Sequence, residues 1–215
     1  MYKRVGIFGG TFDPPHYGHF QLARKIVEDN IVDSILFIPA YSPPHKIGSL
    51  YSDYSIRKKM LDIFISLENK KVAKECFFIS DIEAERDDQL SYTYETMNIL
   101  EDIYPDVKFS IIIGGDSLLN LHTWYRGEDI IKRWNIITYP RDEIVFSKND
   151  ILKELKKNWG DDVASHLLES ILNYDLFDIS STEIREKVKN KEDISEYLPD
   201  EVYKIIKEKG LYKSV

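Results

Sequence analysis

Two histidines stand close together in a glycine- and proline-rich segment near the start of the chain. His16 and His19 lie in Gly9–His19, which reads GGTFDPPHYGH, and the 215-residue sequence holds 5 histidines in all. Residues three apart share one side of a helix, so both imidazoles are expected on one side of a helix that starts near Gly18. Glycines let backbone N–H groups approach a ligand closely, and a helix start favours an anion. We therefore predict a phosphate-binding segment, and regard incidental surface histidines as the weaker interpretation.

A second segment with suitable groups for a polyanion is Ile179–Arg185, which reads ISSTEIR ahead of an amphipathic helix. Ser180 and Glu183 fit a capping box, and this role alone would account for a helix start. The three hydroxyl groups and the exposed N–H groups, with Arg185 about one turn later, would also suit phosphate, because a guanidinium makes forked contacts with phosphate. The residues by themselves leave capping and ligand binding equally open.

The third segment, Ile113–Leu119, reads IGGDSLL and again combines a strand, glycines and a helix start. Asp116 either caps that helix or accepts hydrogen bonds from ribose hydroxyl groups. Trp124 follows, and its indole either stacks on an aromatic ligand or lies partly in the core, which is the commoner position for tryptophan.

Two shorter segments could contribute further polar groups. Pro43–Lys46 (PPHK) is a rigid turn that presents an imidazole and an ammonium group, and a solvated turn is its alternative interpretation. Ser91–Thr96 (SYTYET) begins a helix whose N–H groups could bind a carboxylate or a phosphate, and ordinary N-capping is the alternative. Neither the G-x-G-x-x-G pattern nor the P-loop pattern occurs in the chain. A zinc site on His16 and His19 has no obvious third ligand.

The segments require a scaffold that brings strand ends together. Brief apolar runs typical of buried strands alternate with helical patterns, which predicts a doubly wound, Rossmann-like parallel α/β sheet with helices on both faces. The predicted strands are Arg4–Phe8, Ser34–Ile38, Phe77–Ile82, Val107–Ile113 and Asn135–Tyr139. Because ligands bind beyond the carboxyl ends of such strands, the three segments fall where a site is expected.

The second half of the chain is predicted to be largely helical towards its end. Lys148–Trp159, Ser180–Asn190 and Pro199–Lys209 have helical patterns, whereas His166–Leu172 fits a strand or a helix equally well. We predict one domain over residues 1–215, with a core over about 1–178 and a small helical C-terminal part over about 179–215.

Composition excludes several classes of protein. The chain has 29 Lys and Arg against 37 Asp and Glu, a net charge of −8, whereas a nucleic-acid coat protein needs clustered cations. Its single cysteine, Cys76, cannot form an internal disulfide and indicates a reducing compartment. No apolar stretch approaches the length of a membrane span. We expect a cytoplasmic protein, either a monomer or a homo-oligomer, with neither nucleic acid nor membrane as a partner.

The motifs together resemble a known family. GGTFDPPHYGH and ISSTEIR are similar to the two signatures of the H-x-G-H nucleotidyltransferase superfamily. Within that superfamily, PPHK, SYTYET and GGDSLLNLHTW (Gly114–Trp124) resemble the bacterial nicotinate-nucleotide adenylyltransferases. The likeness covers nearly the whole chain in the expected order, and no motif is recognised in Asp142–Tyr174.

The resemblance implies transfer of AMP from ATP to nicotinate mononucleotide, which yields deamido-NAD and pyrophosphate, with Mg²⁺ held mainly by the substrate phosphates and by no protein ligand. It implies catalytic roles for His16, His19, Lys46 and Arg185. The implied ATP-binding residues are Gly9, Gly10, Thr11, His16, Gly18, His19, Gly114, Asp116, Ile179, Ser181, Thr182 and Arg185. The implied residues for the mononucleotide are Phe12, Lys46, Thr93, Tyr94, Asp116, Trp124 and Tyr125.

Other functions remain as alternatives at this stage. A superfamily member with nicotinamide mononucleotide or phosphopantetheine as acceptor would share the first two signatures, as would a cytidylyltransferase. A non-catalytic nucleotide sensor would keep the fold without turnover, although the intact His16, His19, Lys46 and Arg185 argue against it. A fragment of a class I tRNA ligase would share the H-x-G-H motif, but neither an anticodon domain nor a basic surface is apparent in this sequence.

Overall fold

The protein is described by a computed structural model that covers residues 2–42, 51–72, 74–86, 91–140, 148–174 and 179–213. Within these ranges five parallel strands form one sheet in the order β3-β2-β1-β4-β5. Their bounds are β1 Arg4–Gly10, β2 Ser34–Pro39, β3 Phe77–Ile79, β4 Lys108–Gly114 and β5 Asn135–Tyr139.

Helices follow the strands in the alternation that the sequence predicts. The helices in the described ranges are α1 Tyr17–Glu28, α2 Tyr54–Val72, α3 Thr93–Ile103, α4 Gly115–Asn120, α5 Gly127–Arg133, α6 Lys148–Trp159, α7 Asp161–Glu169, α8 Ser181–Lys189 and α9 Asp200–Glu208. A short 3₁₀ helix, Leu121–Thr123, joins α4 to the turn before α5.

Two apolar clusters cover the two faces of the sheet. Phe8, Phe37 and Ile112 point to one face and pack with residues from α1, α2, α8 and α9. Ile7, Ile38 and Ile111 point to the other face and pack with residues from α3 to α7. Adjacent residues of one strand therefore enter different clusters, as the two-residue period of a strand requires. The predicted doubly wound, Rossmann-like sheet with helices on both faces is confirmed.

The strand order creates a switch point between β1 and β4. The chain runs outwards from β1 to β2 and β3, and then returns to the opposite side of β1 with β4 and β5. Connections on the two sides therefore leave the carboxyl ends of β1 and β4 in opposite directions, which opens a crevice there. Gly9 and Gly10 end β1, and Gly114 ends β4, so glycines border this crevice on both sides.

Four of the five strand predictions differ from the structure in their ends. β2 ends one residue later than predicted and β4 is shifted by one residue, whereas β1 and β3 differ by two and three residues. β1 continues two residues beyond Phe8, because Gly9 and Gly10 stay in register with Ile38 and Pro39 of β2. β3 ends at Ile79, three residues before the predicted end. The carbonyl of Asp81 accepts the N–H groups of Ala84 and Glu85, and this turn takes the chain away from the sheet.

The ambiguous stretch His166–Leu172 contains a helix end and one sheet contact. Helix α7 runs to Glu169, and Ile171 then forms a single parallel bridge with Thr138 of β5. α6 has the predicted bounds, and α8 and α9 differ from theirs only at the capping residues. The division of the chain at about residue 178 stays a prediction. Among the described residues, no helix is both long and apolar enough to span a membrane.

Candidate active site

A cavity of about 370 Å³ lies at the carboxyl ends of β1 and β4. The residues around it come from several separate parts of the chain, and most belong to the segments singled out by their sequence. Its polar and aromatic lining includes Gly9, Gly10, Thr11, Phe12, Asp13, His19, Glu83, Ser91, Thr93, Thr96, Gly114, Asp116, Ser117, Trp124, Ser180, Ser181, Thr182 and Arg185.

The two glycines at the end of β1 have different neighbours. A Cβ atom on Gly9 would meet no other atom within 4 Å, so this backbone faces open space. A Cβ atom on Gly10 would lie 3.0 Å from the ring of Phe12, which packs directly over that glycine. Gly9 thus leaves room for a ligand to approach the backbone, whereas Gly10 leaves room for Phe12.

Phe12 has an unusual backbone and a central position. Its φ of 51° lies in the left-handed region, where aromatic residues are rare, and its side chain is buried. The ring packs edge-on against the ring of His19, with centroids 5.1 Å apart. The turn after β1 is therefore folded so that Phe12 forms an apolar wall beside His19.

The two histidines are in contact at the start of α1. Their ring centroids are 3.7 Å apart, and the backbone N–H of His16 donates to Nδ1 of His19 at 3.2 Å. A neutral imidazole that accepts at Nδ1 carries its proton on Nε2, and in this form it can donate to a phosphate oxygen. His16 is only 3% exposed, so the interpretation of this residue as an incidental surface histidine is wrong.

Arg57 is a buried residue beside the site that the sequence did not reveal. It lies in the first turn of α2, is 3% exposed, and donates to three backbone carbonyls, of Thr11 at 2.8 Å, Ala40 at 2.9 Å and Ser52 at 3.0 Å. Burial lowers its pKa from the usual range for arginine, and the nearby charge of Asp13 opposes this effect. Arg57 therefore joins the chain segments that follow β1 and β2.

Asp13 is a second buried polar residue that sequence reasoning passed over. Its carboxylate is 1% exposed and accepts hydrogen bonds from the backbone N–H of Ser52, at 3.1 Å, and from the hydroxyl group of Tyr212. Its carbonyl accepts a hydrogen bond from Nη1 of Arg185 at 2.8 Å. A single acidic residue in a glycine- and proline-rich segment resembles an ordinary turn residue, and the partners that distinguish it lie far away in the sequence.

The ISSTEIR segment caps a helix and also lines the cavity. Ser180 caps α8 by accepting the N–H of Glu183, whose carboxylate accepts the N–H of Ser180, so the capping box is confirmed. The segment also lines the cavity at Ser181, Thr182 and Arg185. Ser181 Oγ donates to the carbonyl of Pro14 at 2.9 Å, which ties the start of α8 to the turn after β1.

The opposite side of the cavity is formed by the start of α3. Thr93 is the first residue of that helix, and Thr96, one turn later, donates from Oγ1 to Oε1 of Glu83 at 3.1 Å. Glu83 is 9% exposed, and its burial raises the pKa of this carboxyl group. The N-cap residue, Tyr92, makes no side-chain capping bond, so capping does not explain the polar residues of Ser91–Thr96.

Gly114 and Asp116 lie at the end of β4. Gly114 is the N-cap of α4, so Asp116 is not the capping residue. A Cβ atom on Gly114 would lie 2.5 Å from Oδ1 of Asp116, and glycine is therefore required for the carboxylate to occupy this position. Trp124 lines the cavity and also packs against the core, so its ring is partly buried while it faces the cavity.

Several residues from the resemblance do not reach the cavity lining. Tyr94 is buried against Trp134, at 5.7 Å between centroids, and its hydroxyl accepts from Arg133. Tyr125 is 48% exposed and packs on Tyr92. Helical geometry explains Tyr94, because successive side chains point in directions about 100° apart and Thr93 takes the cavity side.

His16, Gly18 and Ile179 are likewise not among the lining residues, although His19 and Ser180 are. Lys46, with the remainder of Pro43–Lys46, lies outside the described residues. Among the residues that are described, no group of three or more His, Cys, Asp or Glu side chains could hold a metal ion.

Comparison with known proteins places this geometry in context. The family described as cytidylyltransferase-like matches residues 7–187 of the chain. A Clostridium tetani protein named "Probable nicotinate-nucleotide adenylyltransferase" is 37% identical over 216 residues, which cover 98% of this chain and 100% of the relative. A Clostridium perfringens protein of the same name is 35% identical, with 98% of each chain covered.

A solved structure has the same fold. The nicotinic acid mononucleotide adenylyltransferase of Plasmodium falciparum, complexed with NaAD, superposes with a TM-score of 0.74 over 98% of this chain and 97% of its own. The two sequences are 22% identical, so this likeness concerns the fold.

Proposed function

The chain belongs to the cytidylyltransferase-like family and, within it, to the nicotinate-nucleotide adenylyltransferases, and we propose that it transfers AMP from ATP to nicotinate mononucleotide. The products are deamido-NAD and pyrophosphate, as a step of NAD biosynthesis. The observation that carries this proposal is the convergence of Gly9–His19, Gly114–Asp116 and Ser181–Arg185 on one cavity, together with Thr93 and Trp124.

The ATP is proposed to lie across the ends of β1 and β4. Gly9 gives a phosphate access to the backbone, and Asp116 accepts hydrogen bonds from ribose hydroxyl groups. His19 donates to the phosphate oxygens on one side, while Ser181 and Arg185 hold the triphosphate from the other side. The start of α8 adds a favourable electrostatic contribution, because the positive end of a helix dipole attracts anions.

The mononucleotide is proposed to lie towards α3. The backbone N–H groups around Thr93, at the start of that helix, are suited to the carboxylate of nicotinate. Trp124 offers an indole face on which the pyridine ring can stack. Phe12 separates this side from His19 and excludes water from the space between the two substrates.

The chemical step is an in-line displacement at the α-phosphorus of ATP. An oxygen of the mononucleotide phosphate forms the new bond to phosphorus, and the bond from phosphorus to the bridging oxygen of pyrophosphate breaks. That phosphate is already ionised at neutral pH, so the reaction needs no strong general base. Catalysis then depends on positioning and on stabilising the developing charge, for which His19 and Arg185 are suitably placed.

Mg²⁺ is proposed to accompany ATP, held mainly by the substrate phosphates. When bound, the ion would neutralise charge on the phosphates. Lys46 is proposed as a further cation for the phosphates. The enzyme is proposed to act in the cytoplasm, which the single cysteine supports.

A comparison of acceptors tests the proposal. Pyrophosphate release from ATP and Mg²⁺ should be measured with nicotinate mononucleotide, nicotinamide mononucleotide and phosphopantetheine under the same conditions. We expect the highest kcat/KM with nicotinate mononucleotide. A preference for phosphopantetheine would assign the chain to another activity of the superfamily, and binding of ATP without release in any mixture would indicate a nucleotide sensor.

A further inference from the structure

We propose that Tyr212, in the segment after α9, is a positioning residue that holds the phosphate-binding groups of the site in place. This inference rests on the proposed adenylyl transfer and assigns a role to a residue outside the cavity lining. Tyr212 is 199 residues from Asp13 in the sequence, yet its hydroxyl group donates to Oδ1 of that buried carboxylate.

The contact matters because Asp13 is joined to both sides of the site. Through its carboxylate Asp13 accepts from Tyr212 and from the N–H of Ser52, and through its carbonyl it accepts from Nη1 of Arg185 at 2.8 Å. The carbonyl of the next residue, Pro14, accepts from Ser181 at 2.9 Å. Arg185 and Ser181 are thus both held by hydrogen bonds to the backbone carbonyls of residues 13 and 14.

The backbone around Tyr212 shows that the contact is specifically built. Gly210 and Tyr212 have φ angles of 62° and 63°, in the left-handed region that an aromatic residue rarely adopts. Such a conformation persists only where the surroundings hold it. Leu211 and Tyr212 pack against the core cluster that contains Phe8 and Phe37. The segment after α9 is therefore held against the protein, with the phenol directed towards Asp13.

Charge and protonation agree with this geometry. Burial and the neighbouring Asp13 charge raise the pKa of Tyr212, so the phenol remains a donor across the neutral range. A hydrogen bond to a buried carboxylate is among the stronger kinds in proteins. Without the hydroxyl group, the Asp13 carboxylate keeps the N–H of Ser52 but loses its partner on Oδ1, and we expect the carbonyl that supports Arg185 to be held less firmly.

The test is Tyr212→Phe, which removes only the hydroxyl oxygen, with Tyr203→Phe as the matched control. Tyr203 lies on α9 and packs against the same core cluster, away from the cavity lining. We expect Tyr212→Phe to lower kcat/KM for ATP about tenfold, the lower end for loss of a hydrogen bond to a charged group. The KM for nicotinate mononucleotide should change less than about twofold, and Tyr203→Phe should match the wild type.

A double-mutant cycle with Arg185→Ala separates positioning from general structural support. If Tyr212 acts through Asp13 on Arg185, Tyr212→Phe should reduce kcat/KM by less than about twofold in the Arg185→Ala background, since effects in one network are not additive. An equal tenfold loss in both backgrounds would overturn the inference, as would unchanged kinetics for Tyr212→Phe or an equal loss in Tyr203→Phe.

Two further measurements keep the inference testable. Affinity for ATP alone, measured by calorimetry, should also fall about tenfold in Tyr212→Phe, and this holds even if the wild type shows no transfer to nicotinate mononucleotide. Failure of the function and failure of the inference are thereby distinguished.

If Tyr212→Phe does not fold, Asp13→Asn replaces it, because the carboxamide keeps an acceptor but loses the charge. The same dependence on Arg185 is expected, and an additive effect would overturn the inference.

Discussion

Replacement of Arg57 by methionine is expected to destabilise the protein strongly, although the new side chain is apolar and of similar length. The guanidinium is 3% exposed and satisfies the carbonyls of Thr11, Ala40 and Ser52. These carbonyls belong to the segments after β1 and β2 and to the approach to α2, so one side chain joins three parts of the chain beside the cavity.

The magnitude follows from what remains after the substitution. Each buried carbonyl without its donor costs about 1–3 kcal/mol, and removal of a buried cation recovers part of this through its own desolvation. Breaking a buried charged network by removing one member costs about 3–5 kcal/mol in comparable cases. For a chain of this length 1 kcal/mol shifts Tm by about 2–4 °C, so we expect a decrease of about 6–20 °C.

Urea unfolding followed by circular dichroism measures the effect directly, with Lys59→Met as the matched control. Lys59 is an exposed cation on the same helix, and its replacement should change the free energy of unfolding by less than about 0.5 kcal/mol. Arg57→Lys should lie between the wild type and Arg57→Met, because an ammonium group lacks the fork that reaches several carbonyls. The reasoning would be refuted if Arg57→Met were within about 1 kcal/mol of the wild type.

Three single-residue changes around the cavity test separate parts of the site. His19→Ala should lower kcat by about 10²–10³-fold, as expected for loss of one group that stabilises the transition state, with an unchanged Tm; near-normal turnover would remove His19 from the mechanism. Gly9→Ala should leave Tm within about 1 °C, since a Cβ there meets no atom within 4 Å, but should raise the KM for ATP; an unchanged KM would show that no ligand approaches this backbone. Glu83→Gln tests a pH dependence. Burial raises the pKa of the Glu83 carboxyl group in the folded protein. The contribution of this group to the free energy of unfolding is therefore present below the ordinary pKa of glutamate and is lost as pH rises through the raised pKa. The wild type should therefore lose stability relative to Glu83→Gln as pH rises from about 4 until the carboxyl group is ionised in the folded protein, by about 1.4 kcal/mol for each unit by which the pKa is raised, and a constant difference would contradict this.

The sequence predicts the scaffold because each strand and each helix carries its own local pattern of apolar residues. The alternation of short apolar runs with helical stripes predicted all five strands, and Lys148–Trp159 forms α6 with the predicted bounds. The position of the three glycine- or hydroxyl-bearing segments at strand ends then followed from the rule that parallel strands end at one edge. The extension of β1 through Gly9 and Gly10 was missed because glycine weakens the strand signal.

The contacts that organise the site could not be predicted, because their partners are distant in sequence. Arg57 has the appearance of an ordinary surface arginine on α2, and only the fold brings it under the carbonyls of Thr11 and Ala40. Asp13 and Tyr212 are separated by almost the whole chain. Tyr94 shows the converse: its motif lies at the cavity, but its own side chain packs in the core.

The fate of the α-phosphorus of ATP tests the central claim most directly. The protein should be incubated with Mg²⁺, nicotinate mononucleotide and ATP labelled at that phosphorus. The products should then be separated and the label in each of them measured. A single in-line displacement predicts that all the label appears in deamido-NAD, none in pyrophosphate, and that a chiral thiophosphate at this position is inverted. Label in ADP or inorganic phosphate, or retention of configuration, would contradict direct transfer of the adenylyl group to the mononucleotide.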